Sequence, residues 1–157
     1  MCNCRNKASC PMDNKCLTDH VIYQATVTEK DTQNKQSTEK YVGLASTTFK
    51  ERYGGHKLSF KNIKYSNETT LSTHIWKLKG RGSTLSIKWK IIDRGQSFNP
   101  ATKICQLCTK EKFYILFKPE MSTLNSRNEL GAHCRHKKTS LVGSVKVAKS
   151  SRPRGTN

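Results

Sequence analysis

Two stretches of the chain alternate apolar and polar residues with a period of two, which is typical of half-buried β-strands. Residues 20–28 read HVIYQATVT, and residues 85–91 read LSIKWKI. A third apolar run at residues 41–44 (YVGL) predicts a strand that pairs with the first as an antiparallel hairpin, across a wholly polar loop at residues 29–39. We therefore expect a three-stranded antiparallel sheet.

Two helices are predicted between the second and third strands. Residues 48–60 begin with Thr48 and carry Glu51 three positions later, which is the capping-box spacing of a helix start. Residues 68–79 place three apolar residues at helical spacing on one face, and Gly80 follows as a stop signal.

The sequence after the third strand predicts further helices. Residues 103–117 suit a helix packed on the sheet, and Pro119 ends it. Residues 125–136 predict one last short helix, with Asn125 or Ser126 as its cap. The fold class is therefore α+β, with a small three-stranded antiparallel sheet flanked by helices.

The two ends of the chain differ from the part between them. Residues 1–19 are rich in cysteine, and residues 137–157 are basic and poor in large apolar groups, as in a disordered tail that grips phosphates. Residues 20–136 then form one domain. The polar start predicts no secretory signal.

Positive charge dominates the composition. The chain has 29 Lys and Arg against 11 Asp and Glu, a net charge of +18. Such an excess, spread over the whole length, predicts a polyanionic partner, and DNA or another nucleic acid is the first candidate. A membrane surface would call for a basic amphipathic helix, and no such segment is found, so no membrane partner is expected.

Seven cysteines fit metal ligation better than a closed disulfide framework, and they predict a reducing compartment. Two sets have ligand types that suit structural zinc. One set is Cys105, Cys108, Cys134 and His136, and the other is Cys2, Cys4, Cys10 and Cys16. A mixed arrangement, in which Cys10 and Cys16 join His133 or His136, is an open alternative.

Candidate phosphate chemistry lies on the first predicted helix. Arg52 and His56 are four residues apart, so they project from one face of a helix, one turn above the other. A cation and an imidazole beside Tyr41, at the second strand, suit a phosphate site. The plain alternative is a solvated helix face.

Five motifs, read in order, resemble a known nuclease family. They are CPMDNKCLTDHVIYQA, YVGLASTTFKERYGGH, LSTHIWKLK, CQLCTKEK, and STLNSRNEL followed by CRH. The pattern resembles GIY-YIG nucleases and, more closely, the endonuclease domain of Penelope-like retroelements, over residues 10–138. Two departures are Val21 in place of the first motif glycine and a longer hairpin loop.

The resemblance implies six catalytic residues: Tyr23, Tyr41, Arg52, His56, Glu111 and Asn125. One of the two tyrosines would help to activate the attacking water. Arg52 would bind the scissile phosphate with His56 beside it, and Glu111 would hold a single catalytic Mg²⁺ or Mn²⁺. Each residue also has a structural alternative: a tyrosine can pack in the core, a glutamate can pair with nearby lysines, and an asparagine can cap a helix.

The resemblance further implies a nuclear DNA endonuclease that nicks target DNA to prime reverse transcription. Its partners would include retroelement RNA and a fused or separate reverse transcriptase. Two rival functions remain at this point. One is a catalytically inactive zinc-containing nucleic-acid-binding module, and the other is a basic structural protein of a ribonucleoprotein.

Overall fold

The protein is described here by a computed structural model that covers residues 1–126, Cys134 and His136. Its centre is an antiparallel sheet of β1 (Val21–Lys30), β2 (Gln36–Ala45) and β3 (Thr84–Arg94), in the order β2-β1-β3. The predicted α+β class with a three-stranded sheet is confirmed. The predicted tail at residues 137–157 lies outside the described residues.

The register of the sheet sets which side chains share a face. Tyr23 lies opposite Gly43 on one side and Ile91 on the other. Ala25 in turn lies between Tyr41 and Trp89. Successive residues of a strand point to opposite faces, so these aromatic residues all lie on one face, which we call the front face. The opposite face is called the back face.

The predicted hairpin loop at residues 29–39 is wrong. Both strands continue past the core, and the turn between them spans only residues 31–35. The Asp31 carboxylate closes this turn by accepting hydrogen bonds from the backbone amides of Gln33 and Lys35, each at 2.8 Å. Residues 36–39 and Lys30 are exposed or half-buried, so these strand ends lack the apolar pattern of a buried strand.

Helices α1 (Phe49–Lys61) and α2 (Thr70–Gly80) are confirmed as predicted elements. The Thr48 hydroxyl caps α1 by accepting from the Glu51 amide. A reciprocal capping box forms instead at α2, between Thr69 and Ser72.

The third helix is shorter than predicted. α3 (Gln106–Phe117) begins three residues late, because Lys103 has a φ of 57° and breaks the helical path. Short strands β4 (Phe98–Asn99) and β5 (Ile104–Cys105) pair ahead of the helix. The predicted helix at residues 125–136 lies mostly outside the described residues, and Asn125 and Ser126 are themselves not helical.

Two apolar cores lie on the two faces of the sheet. The front-face core packs Tyr23, Val27 and Phe49 with the apolar stripe of α2, and the smaller back-face core joins Ile22 and Val42 to α3. Within the part of the chain that the structure describes, no helix is both long and apolar enough to cross a membrane. The division into segments 1–19, 20–136 and 137–157 stays a prediction.

Candidate functional site

Helix α1 presents Arg52 and His56 toward the front face of the sheet. The Thr48 side chain caps its first turn. At its two glycines, Gly54 and Gly55, an added Cβ would meet no atom within 4 Å, so these positions face open space. His56 is only 3% exposed, whereas Arg52 is half-buried. The face shared by these two residues is therefore packed against the protein, and the plain alternative of a solvated helix face is wrong for His56.

Tyr23 is the centre of a hydrogen-bonded cluster. Its phenol oxygen lies 2.7 Å from His56 Nε2 and accepts a hydrogen bond from Arg52 Nε at 3.1 Å. Arginine has no acceptor, so the phenol proton is free to point at the imidazole. The three side chains, which come from β1 and α1, are thereby joined in a single network.

Tyr41 completes the cluster from β2. Its ring centroid lies 6.5 Å from that of Tyr23 and 6.2 Å from that of His56, and its phenol also interacts with the Arg52 guanidinium. The Arg52 guanidinium therefore contacts two phenols, and no carboxylate among the described residues pairs with it. A half-buried cation in this state can accept an anionic ligand.

Two residues that the sequence did not single out shape this cluster. Trp89 packs on His56 with ring centroids 5.2 Å apart, and its place on the front face follows from the period of two in β3. Gly43 lies directly beneath the Tyr23 ring, where an added Cβ would come within 2.5 Å of the phenol oxygen. The glycine is needed here because a side chain would displace the tyrosine.

The electrostatics of the cluster follow from burial. Desolvation, helped by the positive charge of Arg52, lowers the pKa of His56 to about 3, so the imidazole is neutral at pH 7. Burial also raises the pKa of Tyr23 to about 12. Arg52 acts in the opposite direction, but burial outweighs it. In the absence of a metal ion, Tyr23 is therefore a neutral phenol.

Glu111 approaches the cluster from α3. It is half-buried, and its negative charge contributes to the raised pKa of Tyr23. This effect is the smallest of the four that act on the Tyr23 pKa, so it places the Glu111 carboxylate within electrostatic range of the phenol.

Asn125 lies beside β2 and not within the cluster. Its Oδ1 accepts from the Val42 amide at 2.8 Å, and its Nδ2 donates to the Val42 carbonyl at 2.9 Å. The side chain thus replaces a neighbouring strand at the sheet edge, directly after Tyr41 in β2. Of the six predicted catalytic residues, four meet directly, Glu111 acts on Tyr23 through its charge, and Asn125 holds the strand that carries Tyr41.

The four N-terminal cysteines gather into one group. Cys2, Cys4, Cys10 and Cys16 have sulfur atoms all within 4.8 Å of one another. The Cys16 sulfur lies 3.4 Å from that of Cys2 and 3.6 Å from that of Cys4. A tetrahedral zinc with about 2.3 Å Zn–S bonds would separate its sulfurs by about 3.8 Å. The group suits a structural zinc-type metal.

This group is joined to the start of α1. The Cys16 carbonyl accepts from the Lys50 amide at 2.7 Å, and the Thr18 carbonyl accepts from the Phe49 amide at 2.9 Å. These bonds satisfy two amides of the first helical turn, which would otherwise lack partners. The cysteine-rich segment therefore fixes the helix that carries Arg52 and His56.

Cys105, Cys108, Cys134 and His136 form the second group. His136 Nδ1 lies 3.4 Å from the Cys105 sulfur, 3.5 Å from that of Cys108 and 3.6 Å from that of Cys134. Tetrahedral zinc with about 2.3 Å Zn–S and about 2.0 Å Zn–N bonds requires similar separations. This group, like the first, suits a structural zinc-type metal.

The grouping decides between the arrangements left open by the sequence. Cys10 and Cys16 join Cys2 and Cys4, and His136 joins the other set, so a site shared by Cys10, Cys16 and His136 is wrong. His133, the other suggested partner, lies outside the described residues.

Comparison with known proteins does not assign the chain to a family. No protein-family model matches the chain, and neither the curated proteins nor the solved structures contain a match.

Proposed function

We propose that the chain is a metal-dependent DNA endonuclease of the GIY-YIG type, which hydrolyses phosphodiester bonds. The observation that carries the proposal is the cluster of Tyr23, His56 and Arg52, in which a cation without a carboxylate partner among the described residues touches a phenol that is bonded to a neutral imidazole. The net charge of +18 supports a nucleic-acid substrate.

Each residue has a role in the proposed reaction. Arg52 binds the non-bridging oxygens of the scissile phosphate, where charge develops in the transition state. Tyr23 accepts a proton from the attacking water as its own phenol proton passes to His56 Nε2, over the 2.7 Å contact. The neutral imidazole has a lone pair for this proton, and an anionic phosphate bound to Arg52 would offset the positive charge that helps to lower the pKa of His56. Tyr41 orients the guanidinium and is the alternative base.

Glu111 is the residue that would hold the catalytic metal. A single carboxylate suits Mg²⁺ or Mn²⁺, which keep most of their waters and would supply positive charge near the leaving oxygen. The effect of Glu111 on the pKa of Tyr23 supports a position within electrostatic range of the reacting groups. Without the metal this carboxylate opposes ionisation of the phenol, so neutralising it favours the base.

The two cysteine groups would serve the site as structural zinc centres. The second group joins the first turn of α3, which contains Cys108, to Cys134 and His136, and so restrains the helix that carries Glu111. The first group restrains α1 through the Cys16 carbonyl. A chain with its two catalytic helices fixed in this way can hold its catalytic groups in place before substrate arrives.

The wider biological role is a further part of the proposal and rests on the resemblance to Penelope-like retroelements. In that role the protein nicks target DNA in the nucleus, so that the freed 3′ end primes reverse transcription of retroelement RNA by a fused or separate reverse transcriptase.

A catalytically inactive zinc-containing nucleic-acid-binding module is the second candidate. One observation favours it: Tyr23 has no exposed surface, and its pKa is about 12. A base so deeply buried reaches water only through movement of its neighbours. This candidate keeps the charge and both cysteine groups but lacks turnover.

Cleavage of supercoiled plasmid in Mg²⁺ or Mn²⁺ separates the two candidates. We expect nicked circles from the wild type and intact plasmid from Glu111→Gln and Arg52→Lys. The control Glu68→Gln removes an exposed carboxylate just before α2 and should also give nicked circles. Intact plasmid with all four proteins, in the presence of normal binding, would establish the inactive module instead.

A further inference from the structure

The described residues cover the back face of the sheet over only half of its length. Near α3, Ile22 and Val42 have no exposed surface, and Gln24 donates to the Met121 carbonyl at 2.8 Å. Further along β1 the back-face residues Thr26 and Thr28 are half-exposed, although Val27 between them is 1% exposed on the front face. Within the described residues, this second half of the back face has no covering layer.

Four lysines lie on the uncovered half or directly beside it, and we call this group the open back patch: Lys30, Lys40, Lys88 and Lys90. Lys90 lies opposite Gln24, at the border of the covered half, and is itself exposed. The register places Lys40 and Lys88 on either side of Thr26 in one row across the three strands. Strands about 4.8 Å apart separate the two lysines by about 10 Å, and Lys90 stands about 7 Å along β3 from Lys88. The patch is therefore a compact group of cations on a flat surface.

No carboxylate neutralises this group among the described residues. Glu29 and Glu39 have odd positions in their strands and so lie on the front face. Asp93, near the β-bulge, forms its ion pair with Lys110 of α3, and none of the four lysines has an ion-pair partner in the described part of the chain.

Apart from Gln36 opposite Lys30, the remaining positions of the open back patch carry hydroxyl groups: Thr26, Thr28, Thr38, Thr84 and Ser86. Lysines and hydroxyls together are the side chains that bind phosphate oxygens. The patch contains no aromatic residue on which a base could stack. This chemistry fits a nucleic-acid backbone that is bound without regard to sequence.

We propose that the open back patch binds a second nucleic-acid segment through its phosphates. The segment must be distinct from one at Arg52, because the sheet separates the back face from the front face where Arg52 and Tyr23 lie. The patch extends over about six residues of strand, or about 20 Å, which matches about six base pairs of duplex. The protein thus holds two nucleic-acid segments at once, whether or not it cleaves either of them.

Lysines at sheet edges also protect against aggregation, and β2 and β3 are both edge strands. The test must therefore separate binding from solubility. Binding of a labelled 10-base-pair DNA duplex to the full chain, without Mg²⁺ or Mn²⁺, is measured by fluorescence anisotropy over a range of salt, and the stoichiometry by analytical ultracentrifugation. Because the divalent ion is left out, the experiment measures binding alone, and its result does not depend on whether the protein is a nuclease.

We expect two duplexes per wild-type chain and one for the triple variant Lys40→Gln, Lys88→Gln and Lys90→Gln. Each lost phosphate contact reduces the dependence of log K on log salt by about 0.9, so the slope summed over both sites should fall by about 3. Arginine at the same three positions should restore the second duplex.

A control with the same loss of charge is Lys7→Gln, Lys15→Gln and Lys64→Gln, three exposed residues away from the sheet. This protein should still bind two duplexes. Equal losses in both triple variants would mean that the charge acts diffusely, and aggregation of the back-patch variant with unchanged stoichiometry would mean edge protection only. Either result overturns the proposal.

Discussion

The contact between Gly43 and Tyr23 gives the sharpest prediction. In Gly43→Ala the new Cβ would lie 2.5 Å from the Tyr23 phenol oxygen, 2.7 Å from its Cζ and 2.9 Å from Tyr41 Cε1. The tyrosine ring is enclosed by Phe49, Trp89 and His56, with ring centroids 5.2–5.9 Å away, so it has no free direction in which to move.

The cost of this change can be worked from the contacts. Overpacking costs about 1–3 kcal/mol. Loss of the two hydrogen bonds at the Tyr23 phenol costs about 1 kcal/mol each. Replacing a strand glycine returns about 0.5–1 kcal/mol through the unfolded state. We therefore expect a net destabilisation of about 2–4 kcal/mol, which lowers the urea midpoint by about 1–2 M.

Equilibrium unfolding in urea, followed by tryptophan fluorescence, measures this shift. Gly54→Ala is the matched control, since no atom lies within 4 Å of its new Cβ and alanine favours a helix interior by about 1 kcal/mol. The two substitutions should thus have opposite signs. A Gly43→Ala protein as stable as the wild type would refute the close packing of Tyr23 over β2.

Three further predictions concern the neighbouring groups. The folded-state pKa of His56, about 3, lies below the ordinary value of 6.5, so the stability that depends on a neutral His56 is complete above pH 6.5. As the pH falls from 6.5 toward 3, the free energy of unfolding should decrease by about 1.4 kcal/mol per pH unit. Urea unfolding at pH 7.0 and 5.5 should show this loss in the wild type and not in His56→Gln. Asn125→Ala should destabilise the protein by about 1–2 kcal/mol and speed hydrogen exchange at the Val42 amide, whereas an unchanged exchange rate would contradict the edge contact. Protein purified without chelator should contain two zinc ions per chain by elemental analysis, with one lost in Cys4→Ser and the other in Cys108→Ser, and a single shared ion would contradict the two groups.

Strand prediction succeeded where one face of the sheet is buried. The alternation of residues 20–28 and 85–91 follows from the front-face core, and it placed β1 and β3 correctly. It failed at residues 29–39, because Ser37 and Thr38 lie where the ladder continues beyond the core. A strand without a buried face has no apolar period to detect.

Site prediction followed the same division. The spacing of Arg52 and His56 on a helix fixed their common direction, and the ligand types of the cysteines fixed the kind of metal. The sequence did not determine which residues share a metal site with each cysteine. Cys105 and Cys134, for example, are far apart in sequence and are brought together only by folding.

The sequence by itself determined the α+β class, the three main helices, the excess of positive charge and the two sets of metal-binding residue types, since each depends on local spacing or on composition. Only the tertiary structure decided that the pKa of Tyr23 is raised and that of His56 is lowered, because desolvation depends on the residues that close around them, among them Phe49 from α1 and Trp89 from β3. Tertiary structure also decided how much of the back face the described residues leave open, because the length of sheet that α3 covers is set by packing and not by any pattern within the strands.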